Sequence, residues 1–325
     1  MARTVLITGG GLVGTHTARL LQERGDRVIV VERAPNREAM ASILGAAMPR
    51  IVVGSVTDLP LLRAAIAEEG VNAIVHTAAA LSTAIRAAPP DGIATNILGT
   101  TAVLEAARLG GVARVVVASS ATVTYAVFDQ PADGAYREDF ACRILSQRPR
   151  SLYAATKLAG EHLALLYADL YRLDPVILRY AAVIGFWRGP DNSVPGRLAR
   201  TVLQPDAAGR AVIDDPLLGW DGVEDFVDVR DVAAANVAAI DAAQPAQRVY
   251  HVATGRTLTF AEFLAAAQAA LPGLRIDLRI TPRAGFAGFP HARTQPFDVS
   301  GAARELGFRA EIALRDTLAE LRRWL

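Results

Sequence analysis

Thr8-Gly9-Gly10-Gly11-Leu12-Val13-Gly14 stands between a β-branched run, Val5–Thr8, and a stretch with the apolar spacing of a helix. In that setting glycines permit a tight turn, let the backbone approach a pyrophosphate and let the helix sit close to the strand. The helix N-terminus meanwhile offers free N–H groups to the anion. Gly9, Gly11, Leu12, Val13 and Gly14 are therefore the expected pyrophosphate-side contacts. Glu32 ends the second strand-like run, Arg27–Glu32, 18 residues past Gly14. A carboxylate there accepts hydrogen bonds from the adenosine ribose and repels a 2′-phosphate, which favours NAD over NADP. Arg33 and Arg37 are the residue type that accommodates such a phosphate and argue the other way, so NAD is the expected cofactor and NADP the less favoured one.

Outward from this turn the chain alternates. Val5–Thr8, Arg27–Glu32, Arg50–Val53, Ala73–His76 and Arg114–Ala118 are short β-branched runs, each followed by a longer Ala/Leu-rich segment. Such repetition requires crossover connections and predicts an α/β fold, a doubly wound parallel sheet of the Rossmann kind. A helix over 152–172 and a strand at Val176–Tyr180 follow. The segment Gly185–Gly222, rich in Gly, Pro, Asp and Trp, reads as loops and interrupts the rhythm before Phe226–Val229, a helix over Asp231–Ala243 and a strand at Arg248–Val252. The expected division is a dinucleotide-binding domain over 1–180 and 226–255, with a smaller mixed α/β substrate lobe from 181–225 and 256–325.

The 325 residues carry 34 basic against 33 acidic side chains and are 52% hydrophobic. That length suits one large or two modest domains. The charge balance removes the general electrostatic reason to expect a nucleic acid or an anionic membrane. Cys142 is the only cysteine, so an intrachain disulfide and a Cys-rich zinc site are excluded and a cytoplasmic setting is expected. The early glycines cut short any apolar run of the length that a signal peptide or membrane span needs. The five histidines are dispersed, without metal-ligand spacing; no metal is expected.

Lys157 is the only lysine; the other 33 basic residues are arginines. It lies four residues after Tyr153 in Ser151-Leu152-Tyr153-Ala154-Ala155-Thr156-Lys157, one turn along one helix face. A tyrosine titrates near ~10, too high for a useful base, but a neighbouring ammonium and a nicotinamide cation favour the phenolate. Lysine supplies a compact charge that also reaches ribose hydroxyls, where arginine's broad fork fits poorly. The strand Val115–Ala118 leads into Ser119, Ser120 and Thr122, at the carboxyl edge where such sheets bind ligands. One of these hydroxyls is expected on the reacting oxygen.

With these residues in place the sequence resembles the extended short-chain dehydrogenase/reductase family, of the NAD-dependent epimerase/dehydratase type, over nearly its whole length. TGGGLVG resembles the family's glycine motif shortened by one residue, and HTAAA at His76–Ala80 the stretch after the fourth strand. TNILGTTAVLEAA at Thr95–Ala107 resembles the helix that carries a cofactor-pocket Asn, here Asn96. SSATV resembles the catalytic hydroxyl segment, YAATK the Tyr-x-x-x-Lys signature, LRYAAVIG the strand leading to substrate loops and EDFVDVRDVA the segment returning to the sheet. The resemblance implies Tyr153 as general base or acid, Lys157 as its activator and ribose holder, and Ser120 as the group positioning the substrate oxygen. It further implies cofactor contacts from Ser55, Val56, Thr77, Ala78, Ala79, Asn96, Tyr180 and Val183, and a homodimer through helices at 93–109 and 153–171.

Departures bear on the substrate. Relatives that use nucleotide sugars often carry Phe-Asn after the Arg of the sixth strand and an Arg before Asp-Phe; here Ala181-Ala182 follow Arg179-Tyr180, and Glu224 precedes Asp225-Phe226. Ser55 stands where the family commonly has an adenine-contacting Asp. Thr122, Trp187, Arg188, Asn192 and Trp220 are the candidate substrate contacts, and the insertion Phe128–Arg150 is of lid size. Cys142 within it reads as an unreactive thiol. These features favour an NAD-dependent oxidoreductase acting on a small polyol, sugar or sugar acid. The alternatives are a sugar or nucleotide-sugar epimerase/dehydratase that returns the hydride, and a non-catalytic dinucleotide sensor.

Overall fold

The computed structural model describes residues 2–126, 134–139, 151–190, 193–282, 285–289 and 292–323. The first strands, β1 (Thr4–Thr8), β2 (Arg27–Glu32), β3 (Arg50–Val53), β4 (Ala73–His76), β5 (Arg114–Ser120) and β6 (Pro175–Tyr180), form from runs of Val, Ile and Leu. They are followed by β7 (Ala182–Ile184), β8 (Arg210–Ile213), β9 (Phe226–Asp228), β10 (Val249–Val252) and β11 (Arg275–Leu278). Seven of them make one sheet, in the order β10-β6-β5-β4-β1-β2-β3, with every neighbouring pair parallel. Strands β4, β5 and β6 are buried along their whole length, as continuous apolar runs covered on both faces require. The strand order reverses beside β1, which opens a crevice at the carboxyl ends of β1 and β4.

The helices are α1 (Leu12–Glu23), α2 (Arg37–Leu44), α3 (Leu59–Glu69), α4 (Ser82–Ala87), α5 (Pro89–Ile93) and α6 (Gly99–Leu109), then α7 (Leu152–Tyr171), α8 (Val194–Leu203), α9 (Val229–Asp241), α10 (Phe260–Ala270) and α11 (Leu314–Arg322). Alternation along β1 divides the core: Val5 and Ile7 pack with Val232 and Ala239 of α9 on one face, Leu6 with Leu62 of α3 and Leu104 of α6 on the other. A third cluster, around Trp220, Phe226, Phe260 and Phe263, ties α8, α10 and α11 to the β8–β11 pair.

The elements differ from expectation in two places. β5 runs on through Ser119 and Ser120, because those residues keep a parallel register with Arg179 and Tyr180 of β6. The stretch read as loops contains β7, β8 and α8; α8 starts where Ser193 Oγ accepts a hydrogen bond from the Gly196 amide (3.1 Å). Strands of three or four residues carry too little periodicity to stand out from a Gly/Pro-rich background. Of the insertion at 128–150 only 134–139 are described; Cys142 and Asn192 lie outside the described residues.

Candidate active site

Gly9 takes a φ of +94°, and a Cβ on it would lie 2.7 Å from the Ala78 amide nitrogen, so only glycine lets the first turn sit against the loop after β4. A Cβ on Gly14 would lie 1.9 Å from the Gly9 carbonyl oxygen. Gly11 is different. Nothing stands within 4 Å of its absent Cβ, and as N-cap of α1 it offers no capping side chain, which leaves the first amides of the helix open to an anion. At the end of β2 the Glu32 carboxylate accepts the Gly10 amide (2.8 Å) and the Ala34 amide (3.0 Å). Both oxygens are thereby oriented and keep lone pairs for further donors.

These residues line one end of a cleft of about 380 Å³. The same cleft brings together most of the expected contacts: Gly9, Gly11, Leu12, Val13, Gly14, Glu32, Thr77, Ala78 and Ala79, and further in Ser120, Thr122, Tyr153, Lys157, Tyr180 and Val183. Helix α7 begins where Ser151 Oγ accepts the Ala154 amide (3.1 Å), and this cap sets Tyr153 in the first turn, facing the end of β5. Ser120 Oγ accepts two hydrogen bonds from Thr122, from its amide (3.2 Å) and its hydroxyl (2.9 Å). Its own proton stays available, and Ser120 is the neighbour that draws the Tyr153 phenol down.

Burial pushes the Tyr153 phenol up to about 12, with the Ser120 hydrogen bond pulling the other way. Burial also draws the Lys157 ammonium down to about 8, against the pull of Glu161. Lys157 Nζ lies 5.8 Å from the Tyr153 ring centre and donates to the Ala118 carbonyl (2.7 Å). The ammonium thus neighbours the phenol one turn along while stapling α7 to β5, and Ser120 is a second group that draws the phenol down.

Several expected contacts fall elsewhere. Asn96 is buried, but its Oδ1 accepts the Ala80 amide (2.7 Å) while its Nδ2 donates to the Ala80 carbonyl and to Thr156 Oγ1 (both 3.0 Å). It clamps the loop that carries Ala78 and Ala79 and does not line the cleft. Ser55 Oγ is bonded to Thr57 Oγ1 (2.8 Å), and Val56 packs under α6, where a Cβ on Gly99 would come within 2.7 Å of it. Trp220 is core: its ring lies 4.9 to 5.5 Å from those of Phe226, Phe260 and Phe286. Trp187 packs against the sheet core, and the Arg188 guanidinium lies over Phe186 at 5.9 Å. An indole in a Gly-rich stretch looks like a loop residue in sequence, yet its large apolar area favours burial once a second core exists.

Sequence reasoning did not find Arg293. It lines the cleft beside Glu224, the two form a buried ion pair, and the guanidinium stacks 4.2 Å over Phe297. The signal was available in principle, since a buried Glu224 needs a cationic partner; a separation of 69 positions along the chain hid which one. Phe286, Phe289, Val194 and Pro195 line the same cleft.

A family model described as the NAD dependent epimerase/dehydratase family matches residues 5–253. The chain belongs to that family. As a member of the epimerase/dehydratase family it is 28% identical over 350 residues to UDP-glucose 4-epimerase of Neisseria gonorrhoeae, covering 99% of this chain and 97% of that one. It is 28% identical over 345 residues to UDP-glucuronate 4-epimerase 4 of Arabidopsis thaliana (99% and 75%). Among solved structures, UDP-glucose-4-epimerase from Stenotrophomonas maltophila with bound NAD and formylated UDP-arabinopyranose aligns with a TM-score of 0.78 at 28% identity (99% and 98%). The chain is an NAD-dependent enzyme of the epimerase/dehydratase family. Its own residues fit that cofactor: the open space above Gly11, the uncapped start of α1 and the oriented Glu32 carboxylate suit a pyrophosphate followed by an unphosphorylated ribose. No described helix is long and apolar enough to cross a membrane.

Proposed function

We propose that this enzyme is a sugar epimerase that inverts a secondary alcohol of a UDP-linked sugar. The observation that carries the reading is that Ser120, Tyr153 and Lys157 line the same cleft as the glycine turn, with Ser120 drawing the Tyr153 phenol down and Lys157 held one turn along by the Ala118 carbonyl. NAD, when bound, supplies the acceptor and then the donor of the hydride. Tyr153 takes the alcohol proton at its phenolic oxygen and later returns it. Ser120 donates to the same reacting oxygen, and the Lys157 charge favours the phenolate. Gly9–Gly14 and Glu32 hold the dinucleotide, with Thr77, Ala78, Ala79, Tyr180 and Val183 along its walls. Residues 1–180 and 226–255 form the dinucleotide unit, and 181–225 and 256–325 the substrate lobe.

The epimerase reading is preferred to net oxidation because the relatives named above are 4-epimerases of UDP-sugars that align over 99% of this chain. Arg293 is then the cation that meets the diphosphate, supplied from the C-terminal segment where position 224 holds Glu. One observation favours the second reading, a dehydrogenase of a small hydroxyl compound: Glu224 already engages Arg293, so a diphosphate has to compete for it. A homodimer accounts for the exposed apolar side chains Leu98, Leu109, Leu166, Leu170 and Tyr171, which lie on or next to the packed pair α6 and α7.

The test is to incubate the protein with NAD and UDP-glucose or UDP-glucuronate and follow inversion at C4 by NMR together with absorbance of reduced cofactor. Inversion without net NADH supports the epimerase. Accumulation of NADH with polyols or sugar acids, and no inversion, establishes the dehydrogenase instead.

A further inference from the structure

Tyr153, Lys157 and Glu161 occupy successive turns of one face of α7. Their partners step along the end of β5: Tyr153 meets Ser120, Lys157 Nζ donates to the Ala118 carbonyl, and Ser119 Oγ donates to Glu161 Oε1. Glu161 and Ser119 are 2% and 3% exposed. The same carboxylate accepts two hydrogen bonds from Arg179, Nε at 2.9 Å and Nη2 at 2.6 Å, and Arg179 Nη1 goes on to the Glu138 carbonyl (2.8 Å). Ser119 and Arg179 are register partners in β5 and β6, one row before Ser120 and Tyr180. One buried carboxylate therefore joins α7 to two adjacent strands directly beneath the row that forms the cleft wall.

A buried carboxylate–guanidinium pair adds little net stability over an apolar replacement, so stability alone is a weak reason for it. We propose that Glu161 is a positioning residue, which fixes the Tyr153 turn of α7 against the Ser120 end of β5 by gripping Ser119 and Arg179 together. This rests on the reading of Tyr153, Lys157 and Ser120 as the reacting set. The Glu161 charge also favours the ammonium form of Lys157, against burial. Besides Tyr153 and Glu161 on its own helix, the titratable group among the described residues that feels the Lys157 charge is His76 of β4, kept neutral by burial.

Because Lys157 is the only lysine, protein labelled with ¹³C-lysine shows one lysine side chain, whose titration needs neither cofactor nor substrate. Glu161→Gln is expected to lower its midpoint by about 1 pH unit and to reduce kcat while KM stays within about twofold. Ser119→Ala, which removes a hydrogen bond and no charge, is expected to leave that midpoint in place and to reduce kcat by roughly tenfold through misplacement of Ser120. Glu161→Gln removes the carboxylate that pairs with buried Arg179; if it does not fold, Glu161→Gln/Arg179→Met removes both charges, with a smaller shift in the same direction. An unchanged lysine midpoint in whichever charge variant folds, or wild-type kcat in Ser119→Ala, overturns the proposal. Full activity in Tyr153→Phe would instead overturn the catalytic assignment, while the lysine titration would still report on Glu161.

Discussion

Thr122 donates two hydrogen bonds to Ser120 at the end of β5, from its amide at 3.2 Å and from its hydroxyl at 2.9 Å. Both serine lone pairs are thereby engaged and its proton stays available in the cleft it shares with Tyr153, whose phenol it draws down. Removing the phenolic oxygen leaves the fold and the glycine cradle intact. Tyr153→Phe is therefore expected to lower kcat by roughly 10²–10⁴-fold while NAD affinity, measured by calorimetry, changes little. Retention of even a tenth of the activity would contradict a proton-transfer role.

Two glycines of one turn should respond in opposite ways. A Cβ at position 14 meets the Gly9 carbonyl at 1.9 Å, a backbone atom that has no room to yield, whereas a Cβ at position 11 meets nothing. Gly14→Ala is expected to destabilise the protein by about 1–3 kcal/mol, read as a lower Tm. Gly11→Ala is expected to keep the Tm and to lose NAD affinity, because its methyl fills the space above the open amides of α1.

The lysine gives a pH dependence whose sign follows from its burial. Its folded value, about 8, lies below the ordinary 10.5, so between about 8 and 10.5 the unfolded chain binds more protons and this group makes stability rise with pH. Activity goes the other way. The ammonium that favours the Tyr153 phenolate is present below about 8 and lost above it, so kcat is expected to fall along an alkaline limb centred near there. In Lys157→Met the limb should vanish along with most of the activity; a pH–rate profile of each protein checks this.

Trp220 separates packing from chemistry. It is 2% exposed and packed among the phenylalanines of the third core cluster. Trp220→Ala is expected to cost about 3–5 kcal/mol of stability in chemical denaturation. The KM of the folded fraction at low temperature should remain within about twofold of wild type. A selective rise in KM without loss of stability would return this residue to the substrate site.

The glycine turn, Glu32 and the Tyr153/Lys157 pair were legible because each is a local pattern whose chemistry depends on near neighbours along the chain: a turn, a strand end and a single helical turn. The hydroxyls at the end of β5 were legible only as a group, and Ser120 was singled out among them by the family resemblance. Asn96, Trp187 and Trp220 were misplaced for a common reason. A polar or aromatic side chain has the same letter whether it faces ligand, loop or core, and only the surrounding packing chooses.

The amino-acid order alone determined the parallel sheet, the cradle at its first turn and the stripe on α7, since hydrophobic period, glycine freedom and helical spacing act over a few residues. Tertiary structure decided how charge is distributed around that stripe. Burial raises Tyr153 and lowers Lys157, Arg293 reaches Glu224 from 69 residues away, and Glu161 meets Ser119 and Arg179 on two strands. Desolvation and ion pairing depend on what lies within a few ångströms in space, and linear order does not specify that until the chain has folded.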